Sequence, residues 1–212
     1  EMAHMPATGV SSVDLYVRDD AGTWRWLACP KPKQQEMSAE LISGIDPGTR
    51  EYMLYLPLYN GVTSCEIGVL EGSKLEPGPD RPKKRSLPVV FYGTSIPHGG
   101  CASRPGMPHP AILGRRLDRP IINLGFSGNG RMDLEIADLL GELDAWLAAA
   151  APTASVIKAN PPPDVAAIAR TPVCAAPMMM FATPISMRWR RPSKTASERF
   201  ITNCTVSISG SA

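Results

Sequence analysis

The sequence has little of what would send a chain into a membrane, onto a nucleic acid or into a disulfide scaffold. It has no run of 18 or more apolar residues, and its start lacks a basic stretch followed by an apolar one, so neither a spanning helix nor a secretory leader is expected. Charge of one sign is also missing. The 22 Lys and Arg are set against 20 Asp and Glu, a net of +2, too weak a field to call for a nucleic-acid partner. The two basic runs, Lys83 to Arg85 and Arg188 to Arg191, read as solvated surface, and a nucleic-acid role resting on the RWRRP segment ranks last among the readings. The five cysteines (Cys29, Cys65, Cys101, Cys174, Cys204) are odd in number and widely spaced, which fits reduced thiols in the cytoplasm. They show no metal-ligand spacing, and neither a metal nor a cofactor is expected. Histidine is scarce: His4, His98 and His109, with none beyond.

What is present is ordinary globular material, 43% hydrophobic and 20% charged over 212 residues, enough for one large domain or two small ones. The first eighty residues read as β structure, with strands expected at Val13 to Arg18, Thr23 to Ala28, Tyr52 to Leu58 and Thr63 to Leu70. Asp19 to Gly22 is expected to turn one hairpin, and Tyr59 to Gly61, with its Asn60-Gly61 pair, another. Tyr52, Leu54 and Leu56 share one strand face and Met53, Tyr55 and Pro57 the other, so both faces should be covered. EPGPDRPKKRS, Glu76 to Ser86, has the composition of an exposed linker. After it come an apolar run (LPVVFYG), a turn (GTSIPHGG), a second apolar run (IINLGFSG) and a helical pattern in MDLEIADLLGELDAWLAAA. That order suggests a parallel α/β sheet with its reactive turns at the carboxyl ends of strands. Ile136, Leu139, Leu140, Leu143 and Leu147 are expected to form one buried helical stripe. Beyond about Trp146 no period for helix or strand is evident, and clusters such as MMM and RWRRP intervene.

Two turns hold the chemistry. A serine on a sharp turn after an apolar strand, as Ser95 is after Gly93 and Thr94, leaves its hydroxyl at the sheet edge beside backbone N–H donors. NLGFSGNG, Asn123 to Gly130, is a second glycine-rich turn that lets amides approach an anion. Taken alone, the first pattern is more often an ordinary loop, and the second more often a strand-to-helix connection that needs glycine for its backbone angles.

FYGTSIPHGGCASRPGMPHPAILGRRL followed by RPIINLGFSGNG resembles the SGNH (GDSL-like) hydrolase family. More narrowly, it is similar to the bacterial branch whose esterase domain follows an N-terminal β domain with a GxDLY motif. That motif stands here as SVDLY, Ser12 to Tyr16, with Ser12 in the glycine's place, and YMLYLPLYNGV is similar to a later part of that domain. The resemblance implies Ser95 as nucleophile and the N–H groups of Ser95 and Gly128 as oxyanion donors. The branch usually continues GTSITQGG, whereas Pro97 and His98 stand here, and a proline removes an amide donor. The family's third block implies an oxyanion-hole asparagine on the strand after LLGELDA; Asn160 in KANPPPD stands at about that distance, in surroundings that do not match. The family's last block, an Asp-x-x-His, is not recognisable. A serine needs a base within hydrogen-bond reach, so His98 and His109 are the local candidates.

The resemblance implies a three-layer α/β/α domain preceded by a jelly-roll-like β-sandwich. Residues 1–75 would form the β domain, 76–87 a linker, 88–145 the hydrolase-like domain and 146–212 an atypical tail. The implied activity is hydrolysis of short-chain acyl esters, acylated carbohydrates among them, by a protein that binds neither nucleic acid nor membrane and associates with copies of itself. The alternative is a catalytically incomplete member serving as a binding or oligomerisation module. The contrast between the halves fits a family sequence cut short at its start and continued, after about Ala145, by a junction or out-of-frame segment. Sequencing the encoding DNA checks this: a family-like continuation in another frame is the expected result, and none in any frame refutes it.

Overall fold

A computed structural model gives the structure of the protein and describes residues 3–150, 155–159, 185–190 and 203–209. Helix α1 (Ala7–Ser11) precedes strands β1 (Asp14–Arg18), β2 (Trp24–Ala28), β3 (Glu36–Glu40), β4 (Thr49–Tyr55), β5 (Gly61–Ile67) and β6 (Lys74–Pro77). Then come α2 (Lys83–Ser86), β7 (Val89–Gly93), α3 (Ser95–His98), α4 (His109–Leu117), β8 (Ile121–Gly125) and α5 (Leu134–Glu142). Strands β9 (Leu147–Ala150), β10 (Ser155–Ala159), β11 (Ile185–Arg190) and β12 (Asn203–Ser209) close the series. The fold is mixed α/β, and the chain divides into two compact units. The first takes in everything up to Pro79, the short return Ala102–Gly106, and strands β11 and β12; the second takes in Asp80–Cys101 and the chain from Met107 through β10.

In the first unit the alternation of SVDLYV sorts its residues between two faces of β1. Val13 and Leu15 join Tyr52 and Leu54 in a buried cluster, against which Val62, Cys65 and Ile67 of β5 also pack. Ser12, Asp14 and Tyr16 face the other way. Asp14 is fully buried, a position in which an uncompensated carboxylate would cost several kcal/mol (, about that order). An ion pair and two N–H donors help to compensate it. Arg104 forms an ion pair at 3.2 Å, the Gly106 N–H donates at 2.8 Å, and the Trp26 indole N–H donates at 2.9 Å. The Arg104 guanidinium also stacks 4.7 Å from the Trp26 ring centroid. Gly106 has to be glycine, since a Cβ there would run into the Tyr16 ring and the Asp14 carboxylate. Both faces of β4 are covered, as the alternation of Tyr52 to Pro57 predicts.

The β1–β2 hairpin forms with its turn at Asp19 to Gly22, where Asp19 accepts the N–H groups of Gly22 and Thr23 on its carbonyl and carboxylate. The second expected hairpin does not form. β4 lies between β1 and β11 in a five-stranded sheet ordered β2-β1-β4-β11-β6, while β5 belongs to a three-stranded sheet ordered β3-β12-β5. The reason is a competing set of hydrogen bonds: the N–H groups of Leu58, Tyr59 and Asn60 donate to the carbonyls of Gly9 and Val10, and the Asn60 amide donates to the Ser11 hydroxyl. The tail, in which no strand period is evident, supplies the central strand of the smaller sheet and an interior strand of the larger one.

In the second unit β7 lies between β8 and β9, parallel to both, and β10 runs antiparallel on the outer side of β9. Val90 and Tyr92 point to one face, where Leu140 of α5 and Ala145 complete a buried cluster. Phe91 points to the other and meets the His109 ring edge-on, centroids 5.5 Å apart. The expected helical stripe is shorter than the pattern implied. The helix stops at Glu142 because Leu143 turns extended (φ −65, ψ 127), and the Trp146 N–H then donates to the Pro88 carbonyl and feeds the chain into β9. Leu147 therefore lies in a strand, and Leu139 is 54% exposed while Leu140 is buried.

Replacing Arg104 by Met leaves the Asp14 carboxylate buried without its cation and is expected to lower unfolding free energy by about 3 kcal/mol. Urea denaturation measures it; an unchanged midpoint would mean the ion pair contributes nothing.

Candidate active site

The site grows from the ends of two parallel strands. β7 and β8 pair in register from Val89↔Ile121 to Gly93↔Gly125, so both end level and on glycine. The chain after Gly93 turns through Thr94 into the short helix α3, whose first residue is the half-buried Ser95. The Ser95 carbonyl accepts the N–H groups of Gly99 and Gly100, each at 2.9 Å, and Gly99 ends the helix in the left-handed region at φ 101, which suits glycine. Pro97, the departure from the family pattern, falls in the first turn of this helix. N–H groups there have no intrahelical acceptor, so the missing one leaves the helix intact.

The chain after Gly125 begins by donating the Phe126 N–H to the Gly93 carbonyl at 2.7 Å. Phe126 to Asn129 then form a turn closed by the Asn129 N–H on the Phe126 carbonyl at 2.8 Å, with Gly128 at φ 78. A positive φ at the third position marks the type II form and explains the glycine. The Gly128 N–H belongs to the central peptide of that turn, outside its closing bond. Gly128 is exposed, with nothing within 4 Å of where a Cβ would stand. Two other glycines are there for closeness. A Cβ on Gly125 would strike the His98 backbone, and one on Gly130 would strike the backbone of Gly93 and Thr94. The second turn is thus packed directly on the first.

Two residues that sequence reasoning passed over hold the arrangement. The buried Tyr92 accepts the Met132 N–H on its hydroxyl at 2.8 Å, where Met132 is held at φ 64. Asn123 donates its side-chain amide to the Pro97 carbonyl at 2.7 Å and accepts the Gly125 N–H at 3.1 Å. A polar amide in the apolar run IINLG was the signal for the second.

Of the expected site residues, Ser95, His98, Gly128 and His109 all belong to the second unit. Ser95 and His98 begin and end α3, and Gly128 rides on the adjoining turn. His109 opens α4 with its ring against Phe91, and burial pushes its pKa below the ordinary histidine value, favouring the neutral imidazole. Asn160 lies outside the described residues. Among the described residues no cluster of three or more His, Cys, Asp or Glu is placed to hold a metal ion, and no helix is long and apolar enough to cross a membrane.

Gly125→Ala is expected to destabilise the protein by about 2 kcal/mol or more through overpacking, whereas Gly141→Ala, in α5 with nothing within 4 Å of the new methyl, should stabilise it by up to about 1 kcal/mol. Paired thermal melts check this, and equal effects from both would refute the tight approach of the two turns.

Residues 86–155 match the GDSL-like lipase/acylhydrolase family, and residues 1–75 match the GxDLY-type N-terminus of SGNH-hydrolase-type esterases. The first match runs past Ala145 through β9. A crystal structure from Bacteroides ovatus described as that of a GDSL-like lipase is 34% identical and superposes with a TM-score of 0.66. It covers 73% of this chain, and the chain spans 45% of its length. No curated protein sequence matches. Two adjoining family matches and a similar solved structure agree with the paired turns and with the Asp14 motif: residues 86–155 match the SGNH (GDSL-like) hydrolase family, and residues 1–75 the GxDLY-type N-terminal region of its esterase branch.

Proposed function

We propose that the chain is a serine esterase acting on short-chain acyl esters. The observation that carries this reading is the level ending of β7 and β8 at Gly93 and Gly125, which starts the serine turn and the glycine turn side by side. Ser95 Oγ attacks the acyl carbonyl, and the N–H groups of Ser95 and Gly128 hold the oxyanion of the tetrahedral intermediate. Asn160 is the candidate third donor. Collapse expels the alcohol, and water releases the acyl group from Ser95. The proton passes through a histidine, with His98 on the same short helix and His109, kept neutral by burial, as the candidates. The reaction needs no cofactor. Acylated carbohydrates fit the same chemistry as substrates, and the free thiols of Cys29 and Cys101 suit a reducing, cytoplasmic setting. In the finer fold reading, the second unit is a three-layer α/β/α domain, supported by Leu140 on one sheet face and His109 on the other. The first is a jelly-roll-like sandwich, supported by the core that its two sheets share.

A second reading has its own support. Leu134 and Leu139 of α5 stand 79% and 54% exposed. Exposed leucines of that kind suit an oligomerisation or binding module that does no chemistry.

Hydrolysis of p-nitrophenyl acetate by the purified protein separates the two. Ser95→Ala is expected to reduce the rate by about a thousandfold or more. A further loss in His98→Ala or His109→Ala would identify the base. Activity that is absent, or untouched by Ser95→Ala, would overturn the esterase reading in favour of the module.

A further inference from the structure

Asn123 stands in the middle of β8, paired with Phe91 of β7, in a run that is otherwise apolar. An amide with both of its functions engaged inside a sheet has a specific task, because a half-satisfied one costs free energy. Its Nδ2 donates to the Pro97 carbonyl at 2.7 Å, across 26 residues of sequence. Carbonyls in the last turn of a helix have no intrahelical donor, and in α3 Asn123 supplies one. Its Oδ1 accepts the Gly125 N–H at 3.1 Å, at the point where β8 gives way to the glycine turn. Pro97 lies two residues after Ser95, and Gly125 three before Gly128.

We infer that Asn123 is a positioning residue: its single planar amide holds the helix bearing Ser95 and the turn bearing Gly128 at a fixed separation. The inference rests on the esterase reading for its consequence in catalysis, and on the two hydrogen bonds alone for the clamp itself. The backbone pairing of β7 with β8 sets where the two turns begin. It does not set how α3 is pitched beyond Thr94, and the Asn123–Pro97 bond supplies a side-chain link between α3 and β8. Oxyanion stabilisation depends on donors aimed to within a few tenths of an ångström of the developing charge. A tilt of α3 therefore acts on the rate of the chemical step and leaves the ground-state binding of a small ester nearly alone.

Two variants and two readouts test this. Asn123→Ala removes both bonds. Asn123→Asp keeps the size and the acceptor for Gly125 but sets a carboxylate oxygen against the Pro97 carbonyl. In both, kcat for p-nitrophenyl acetate is expected to fall about 10- to 100-fold, the range for a misplacement near 1 Å, with KM changed less than about threefold (, uniform binding unaffected). The rate at which a fluorophosphonate labels Ser95 should fall in parallel. Amide hydrogen exchange should accelerate in residues 95–100 for both variants and in residues 125–130 for Asn123→Ala alone. Unchanged exchange in both segments overturns the clamp, whether or not the protein is an esterase. Accelerated exchange in a wild-type background without Ser95-dependent activity upholds the clamp and overturns only the esterase reading. Exchange raised throughout the second unit in both variants, with loss of melting temperature to match, would make Asn123 a general stabiliser and overturn the positioning role.

Discussion

Everything proposed for the site depends on one stretch of backbone pairing, the five parallel rungs between β7 and β8. Parallel strands carry their successors away from the same edge, so a pair that ends level delivers two turns to one place. Both strands end on glycine, and the Phe126 N–H closes on the Gly93 carbonyl immediately afterwards. A shift of one residue would put side chains where Gly125 and Gly130 now allow backbone to touch backbone. The site is thus a matter of register first and side chains second.

The second unit supports that register from both faces. Val90 and Tyr92 are gripped on one side by Leu140, and Tyr92 also uses its hydroxyl to hold Met132 at the far end of the glycine turn. On the other side Gly114 of α4 lets the helix settle on Ile121, the first residue of β8, which a methyl there would prevent. Arg119, just after α4, donates to the carbonyls of Lys84 and Leu87, and Arg85 pairs with Asp118 at 2.6 Å, so the approach to β7 is tied to the approach to β8. Fixing both strands at their entry ends is what makes their exits predictable.

The sequence made the second unit's strands and turns legible because buried parallel strands read as short apolar runs and the turns between them are marked by glycine. It misled where a local signal had a stronger distant competitor. Asn60-Gly61 is a good hairpin pair, yet the backbone around it is taken by Gly9 and Val10, fifty residues earlier, which no local rule can detect. The leucine spacing from Ile136 to Leu147 continues through a helix end because periodicity carries no information about where β9 must meet β7. Strands β11 and β12 were invisible for a related reason: each pairs on both sides with partners more than a hundred residues away. Of the site, Ser95 and Gly128 could be named from motifs, and the residues that aim them, Asn123 and Tyr92, could not.

The GxDLY-type aspartate has a consequence for how this chain comes to be folded. Asp14 is made well before its partners: the Gly106 N–H that it accepts is 92 residues further along, and Arg104 lies on the same later segment. Between them the chain builds β7 and α3 of the other unit. A nascent first unit therefore holds the Asp14 carboxylate without its Arg104 cation, and its smaller sheet lacks the central strand until Asn203–Ser209 is made. Contacts so distant in sequence close slowly, and partly paired strands are prone to the wrong partners while they wait. The unit whose sequence begins earlier is the one that is completed later, by strands β11 and β12.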